Sequence, residues 1–280
     1  MLRTDLAEEA YRLWRQDAGS TSSLPGVRAR ERTLYGIDAT LVDILDPEGE
    51  KALCKPIGRY VTLEAQGCLR KEGESFKNTC LALSELLRAI CRSIEGSTLV
   101  ACLGNREVTP DSIGPRTARH IFATRHLMDS GELSPESFSS VAVLEPGVLG
   151  ATGMESADII RGAVGELHPA RIIAVDALAS ADPERLCRTI QLSDTGIVPG
   201  SGVGNHRAAL TKEFMGIPVI ALGVPTVIDS DVFAGKEHPG GMMVTPREID
   251  FRAAEVSRAL GIGINLALHP GLRYEEAVGM

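Results

Sequence analysis

Two aspartates stand where a strand–helix protein most readily places chemistry. Asp111 follows the apolar run Thr98–Leu103, within Gly104-Asn105-Arg106-Glu107-Val108-Thr109-Pro110-Asp111, and Asp176 directly follows the run Arg171–Val175. Ligands of an open parallel sheet bind beyond the carboxyl ends of its strands, so neighbouring runs would turn both carboxylates toward one crevice. Two close carboxylates cannot both ionise cheaply; one keeps a proton while the other activates water. That division of labour suits amide hydrolysis without a metal or a covalent intermediate. Each residue also fits a structural role, Asp111 in a turn or as the cap of a helix near Pro115, Asp176 as the cap of a following turn.

Other candidates are weaker. The stretch Gly200-Ser201-Gly202-Val203-Gly204-Asn205 has neither the third glycine of a dinucleotide loop nor the Lys-Ser/Thr of a P-loop. Its backbone N–H groups suit a substrate carboxylate or peptide backbone, and tight turns rimming the sheet fit equally well. Asp194-Thr195-Gly196 matches the triplet of pepsin-type proteases but occurs once, where that mechanism needs two copies, so a turn is expected. The six histidines show no ligand spacing, and no metal site or cofactor is expected. No serine sits in a G-x-S-x-G elbow, and Cys102, inside an apolar run, reads as core.

The elements that must position the two aspartates are legible as alternating runs. Thr98–Leu103, Ser140–Leu144, Arg171–Val175 and Ile217–Leu222 are short, apolar and unalternating, as strands covered on both faces are. Helical stripes fall between them at 75–93 and 155–167, and an earlier one spans 5–16. Thr245-Pro246-Arg247-Glu248 has the form of an N-cap, an N1 proline and a capping-box glutamate opening a late helix. The alternation predicts an α/β protein, a three-layer α/β/α sandwich around a mostly parallel sheet. Residues 1–26 read as an N-terminal appendage and 27–280 as a single domain.

Composition narrows the partners. With 29 Lys and Arg against 37 Asp and Glu, the net charge of −8 disfavours direct binding to nucleic acid or anionic membrane. The uncharged run from Ile217 to Ile228 is far below the roughly 20 residues of a membrane span. Six cysteines without a C-x-x-C pair suggest reduced, mostly buried thiols, and with no secretory signal a cytoplasmic protein is expected. The surplus is in glycine, 29 residues, and proline, 15, which implies many tight turns or close backbone approaches.

Rare strings then recur in order along nearly the whole chain. Leu103-Gly104-Asn105, Val108-Thr109-Pro110-Asp111, Pro146-Gly147-Val148-Leu149-Gly150, Asp176-Ala177-Leu178-Ala179, Pro199-Gly200-Ser201-Gly202-Val203-Gly204-Asn205 and Gly223-Val224-Pro225-Thr226-Val227 make it resemble the germination proteases of spore-forming bacteria. The resemblance implies an endopeptidase that initiates degradation of small acid-soluble spore proteins during germination, in the cytoplasm of the forespore or spore core. It implies an atypical aspartic protease, with a fold similar to hydrogenase maturation endopeptidases and Asp111 and Asp176 as the catalytic pair. Asn105, Gly200, Gly202, Gly204 and Asn205 would then line the substrate cleft. Cleavage after an acidic residue, before a hydrophobic residue and Ala, is implied too. So is a homotetramer made as a zymogen, for which Asp5-Leu6-Ala7 is the matching self-processing site. The chain looks shorter than Bacillus members of the family between Ile228 and Gly240. The alternative on the same fold is a metal-dependent processing peptidase of the hydrogenase-maturation type, whose carboxylates would bind a divalent ion.

Overall fold

The computed structural model describes residues 4–17, 24–69, 73–91, 96–200, 207–234 and 242–279. The chain begins with α1 (Ala7–Asp17), β1 (Val27–Leu34), β2 (Ile37–Ile44), α2 (Pro47–Leu53), β3 (Gly58–Glu64), α3 (Glu74–Cys91) and β4 (Thr98–Cys102). It continues through α4 (Ile113–Ala118), α5 (Arg125–Asp129), β5 (Val141–Leu144), α6 (Leu149–Thr152), α7 (Ser156–Leu167), β6 (Arg171–Ser180) and β7 (Thr189–Ser193). It closes with α8 (Lys212–Met215), β8 (Val219–Asp229), α9 (Asp231–Ala234), β9 (Met243–Val244), α10 (Ile249–Leu268) and α11 (Tyr274–Gly279). No helix among the described residues is long and apolar enough to cross a membrane.

The class is α/β, but the expected mostly parallel sheet is corrected to a mixed one. Its order is β1-β2-β3-β7-β8-β6-β4-β5, with β9 beside β8. β5, β4, β6 and β8 run parallel, whereas β1, β2, β3 and β7 pair antiparallel and join β8 through β7. The antiparallel half has a physical origin in its residues. β1, Val-Arg-Ala-Arg-Glu-Arg-Thr-Leu, is mostly exposed, which antiparallel hairpins tolerate and a covered parallel strand does not. Tyr35 and Gly36 turn the β1–β2 hairpin with φ of 53° and 74°, the two-residue loop whose twist matches the strands.

The four apolar runs form β4, β5, β6 and β8, and the last two extend further, to Ser180 and Asp229. Residues alternate between two cores. Val100, Cys102, Ile173, Val175 and Leu222 pack with Leu83 and Leu87 of α3 and Val256 and Leu260 of α10. Leu99, Ala101, Ile172 and Ala174 pack instead with Ala157 and Ile160 of α7. Burying each such Leu, Ile or Val contributes about 1.5–3 kcal/mol, and the two cores together clamp β4 and β6 from both sides. Ala7 and Ala10 of α1 enter a third cluster with Val42, Ile44, Leu53 and Tyr60. All six cysteines are free thiols, five of them buried and Cys54 exposed.

One expected cap does not form. α10 starts at Ile249, Glu248 makes no side-chain cap bond, and the Thr245 hydroxyl donates to the Thr226 carbonyl at 2.8 Å instead. Tertiary contact with β8 outcompetes the local capping box. Farther along α10, Asn265 bridges the loop after α4, accepting from Phe122 N and donating to His120 O, both at 2.8 Å.

That contact makes Gly261 a packing residue. A Cβ there would lie 2.3 Å from His120 Cβ and 3.0 Å from its backbone carbon. Alanine would gain about 1 kcal/mol of helix propensity, but the clash with backbone, typically about 1–3 kcal/mol, opposes it. We expect Gly261→Ala to lower the denaturation midpoint. Gly162→Ala, on the exposed face of α7 with open space at its Cβ, should raise stability by about 1 kcal/mol. Paired urea melts check both signs.

Candidate active site

Asp111 is positioned by backbone rather than by side-chain contacts. The ladder continues past β4 with Leu103 N donating to Val175 O at 2.8 Å, after which the chain turns at Gly104. Gly104 has φ of 113°, and a Cβ on it would stand 2.0 Å from the Asp111 carbonyl oxygen, so no side chain fits there. The next amide, Asn105 N, donates to both the carbonyl and the Oδ2 of Asp111 at 2.9 Å. The Asn105 side chain closes the turn by accepting from Glu107 N at 3.0 Å. Thr109–Asp111 is a single 3-10 turn whose Pro110 takes the early position that needs no amide donor.

Asp176 sits on β6 between β4 and β8, in register with Gly223. It is 4% exposed, and its Oδ1 accepts from Ala177 N at 2.9 Å. Burial pushes the Asp111 carboxyl up to about 6, with the Asn105 amide opposing that rise. Asp176 is raised well above the carboxylate range, first by burial and then by the negative charge of Asp111, with Asp5 adding to it. The two aspartates thus share a field, and ionising one disfavours ionising the other.

Both line a cavity of about 420 Å³ at the carboxyl ends of β4, β6 and β8. Its walls include Val148, Leu149 and Val198, and it falls in the usual size range of small-ligand and peptide-side-chain pockets. Arg207 and Glu155 form an ion pair across 3.5 Å on this lining. Among the described residues, no group of three or more His, Cys, Asp or Glu side chains is arranged to hold a metal ion.

The N-terminal segment reaches the same cavity. Asp5 lines it, with Asp5 N donating to Ala179 O at 3.0 Å and Ala179 N donating to Asp5 Oδ2 at 2.8 Å. Gln191 brackets the next residues, donating to Asp5 O at 3.0 Å and accepting from Ala7 N at 2.7 Å. Lys55 Nζ donates to Thr4 O at 2.8 Å. Leu6 and Ala7 are fully buried.

Of the residues singled out in the sequence, Asp111, Asp176, Gly200 and Asp5 therefore meet in one cavity. Asn105 stands beside it and contributes its amide to Asp111. Gly202, Gly204 and Asn205 lie outside the described residues. Asp194-Thr195-Gly196 is a turn: Asp194 Oδ1 accepts from Arg59 N at 2.8 Å and Gly196 has φ of 77°. The sequence reading missed Lys55, Gln191, Thr226 and the Arg207–Glu155 pair. Thr226 lies within the string Gly223-Val224-Pro225-Thr226-Val227 but was given no role there, and only the fold brings these residues together.

A family model described as germination protease matches residues 5–237. The germination protease of Caldanaerobacter subterraneus subsp. tengcongensis is 39% identical, over 98% of this chain and 96% of its own length. That of Clostridium perfringens strain ATCC 13124 is 38% identical, over 98% of this chain and 97% of its own. That of Oceanobacillus iheyensis is 44% identical over 82% of this chain and 64% of its own. With the family model matching most of its length and relatives aligned nearly end to end, this chain belongs to the germination protease family.

Proposed function

We propose that this chain is the endopeptidase that begins degradation of small acid-soluble spore proteins at germination, working as an atypical aspartic protease. The observation that carries this reading is the pair in one cavity, Asp111 half-buried and Asp176 buried, with the charge of Asp111 raising the Asp176 carboxyl. Asp176, the more buried and the more strongly raised, holds the proton. Asp111, with the Asn105 amide on its Oδ2, is the ionised partner. Asp111 takes a proton from water as the water oxygen attacks the scissile carbonyl carbon, and Asp176 gives its proton to the carbonyl oxygen. Collapse of the tetrahedral intermediate breaks the C–N bond; the proton on Asp111 passes to the leaving nitrogen, and Asp176 recovers its own.

The specificity proposed is cleavage after an acidic residue, before a hydrophobic residue and Ala. Asp5-Leu6-Ala7 follows that pattern, and the presence of Asp5 in the cavity supports self-processing at this point. Residues 1–26 are then an appendage carrying a short propeptide, and 27–280 the peptidase domain. We further propose a three-layer α/β/α arrangement similar to hydrogenase maturation endopeptidases, a homotetramer, and action in the forespore or spore core. The cleft would be completed by Gly200, Gly202, Gly204 and Asn205, with Asn105 beside it. A net charge of −8 fits a protease whose substrates are bound to DNA, because the enzyme does not compete for the DNA.

Four outcomes test this reading. Asp111→Asn and Asp176→Asn, purified and folded, should each lose cleavage of a Glu-Ile-Ala peptide; retained cleavage in both overturns the assignment. For the wild type, kcat/KM should fall on the acid side as Asp111, at about 6, takes up a proton, and on the alkaline side as Asp176 loses its own. On the acid limb stability should move the other way from activity. A carboxyl whose folded value exceeds its unfolded one keeps an extra proton in the folded state, so stability is lost as pH rises from near 3.8 through about 6 for Asp111 and higher for Asp176. Asp176→Asn should therefore raise the thermal midpoint at pH 7, with the gain shrinking toward pH 4. Finally, mass spectrometry of the incubated wild-type chain should show a break between Asp5 and Leu6 that Asp176→Asn abolishes.

A further inference from the structure

We propose that Thr226 is a substrate-binding residue of the carboxylate cavity, its hydroxyl donating a hydrogen bond to a backbone carbonyl of the bound peptide. The inference rests on the peptidase reading above and adds a contact to it.

Three observations meet at this position. β6 and β8 pair in register through Leu178↔Pro225 and resume at Ala179↔Val227, so Thr226 is an extra residue in β8. Such bulges re-aim a side chain that regular pairing would fix, and they concentrate beside active sites. Next, Thr226 is fully buried, yet its Oγ1 has no hydrogen-bond partner among the described residues. The Thr226 carbonyl is satisfied, accepting from Thr245 Oγ1 at 2.8 Å, while its own hydroxyl is left over. Third, Thr226 lines the same cavity as Asp111 and Asp176.

A buried hydroxyl without a partner disfavours the folded state, and a valine of nearly the same shape would remove that penalty. A group that arrives with the ligand accounts for it. The ligand's chemistry follows from the surroundings. Ala179, across the bulge, already binds a peptide segment, with both its N–H and its carbonyl engaged by Asp5. A peptide crossing the strand ends from Ala179 toward β8 brings carbonyls past Thr226. The other side-chain donors on the lining are already engaged: Arg207 pairs with Glu155, Ser156 Oγ donates to Gly147 O at 2.7 Å and Thr245 Oγ1 to Thr226 O at 2.8 Å. A hydroxyl serves as donor there, and a peptide carbonyl is what it completes.

The test compares wild type, Thr226→Val and Thr226→Ser as full chains, reading kcat/KM on a Glu-Ile-Ala peptide across pH together with the thermal midpoint. Thr226→Val should melt at the same or a higher temperature while kcat/KM falls about three- to tenfold, the worth of one neutral hydrogen bond. Both pH limbs should stay where they are, because the carboxyls are untouched, and Thr226→Ser should restore most of the loss. Wild-type kcat/KM in Thr226→Val, or a loss that Thr226→Ser does not restore, overturns the inference. A wild-type chain that cleaves no peptide overturns the peptidase reading itself, and the inference falls with it.

Discussion

The charge of Asp111 acting on the buried Asp176 carboxyl is the constraint to which the surrounding structure answers. Bringing an ionised carboxylate out of water costs several kcal/mol even after relaxation, and a second negative charge nearby adds to that. A domain has only about 5–15 kcal/mol of net stability, so such a pair persists only where the scaffold leaves it no easy retreat. The scaffold here is the parallel core of the sheet. β4 and β6 are held in register from Thr98↔Arg171 to Cys102↔Val175, and helices on both faces pin them in place. A shift of one residue in that register would carry Asp176 to the opposite face.

Close approach at the end of β4 is then a matter of backbone. Gly104 removes the Cβ that would strike the Asp111 carbonyl, and Gly114 does the same where α4 rests on Leu103, whose carbonyl oxygen would lie 2.1 Å from a Cβ. The amide of Asn105 is freed to donate to the Asp111 carboxylate, as Ala177 N does to Asp176, so what separates the two aspartates is burial. Asp176 lies deeper, and its carboxyl is raised further, first by burial and then by the charge of Asp111. The acid and base roles proposed above rest on this difference in burial between two residues of one type.

The parallel half and its aspartates were legible because they obey local rules. Apolar runs such as Arg171–Val175 can only be covered strands, and a polar residue at the end of each marks a crevice. β1 and β7 of the antiparallel half were not, since β1 alternates charged residues that read as surface and β7 is a short strand beside an Asp-Thr-Gly turn. The capping box at Thr245 misled for a related reason: the local bond it offered lost to a tertiary one with Thr226. Lys55 and Gln191 carry no motif, and their meaning comes only from facing residues 4–7 across the sheet.

The length of β6 ties these features together. Its apolar run ends at Val175, yet the strand continues to Ser180, past the end of β4. In a parallel sheet the residues beyond a shorter neighbour have one edge unpaired, and Ala179 spends that edge on Asp5. Just beyond, the buried carboxylate of Glu9 accepts from Ala181 N at 3.0 Å and from Ser180 Oγ at 3.1 Å, fixing α1 against the same strand. The Glu8–Arg185 pair at 2.5 Å and the Arg12–Asp182 pair at 2.6 Å extend the attachment. One strand therefore carries a catalytic candidate at its middle and the N-terminal segment at its end. Displacing residues 4–7 would therefore free the N–H and carbonyl of Ala179 on a strand edge beside the carboxylates, the kind of edge to which an extended peptide adds.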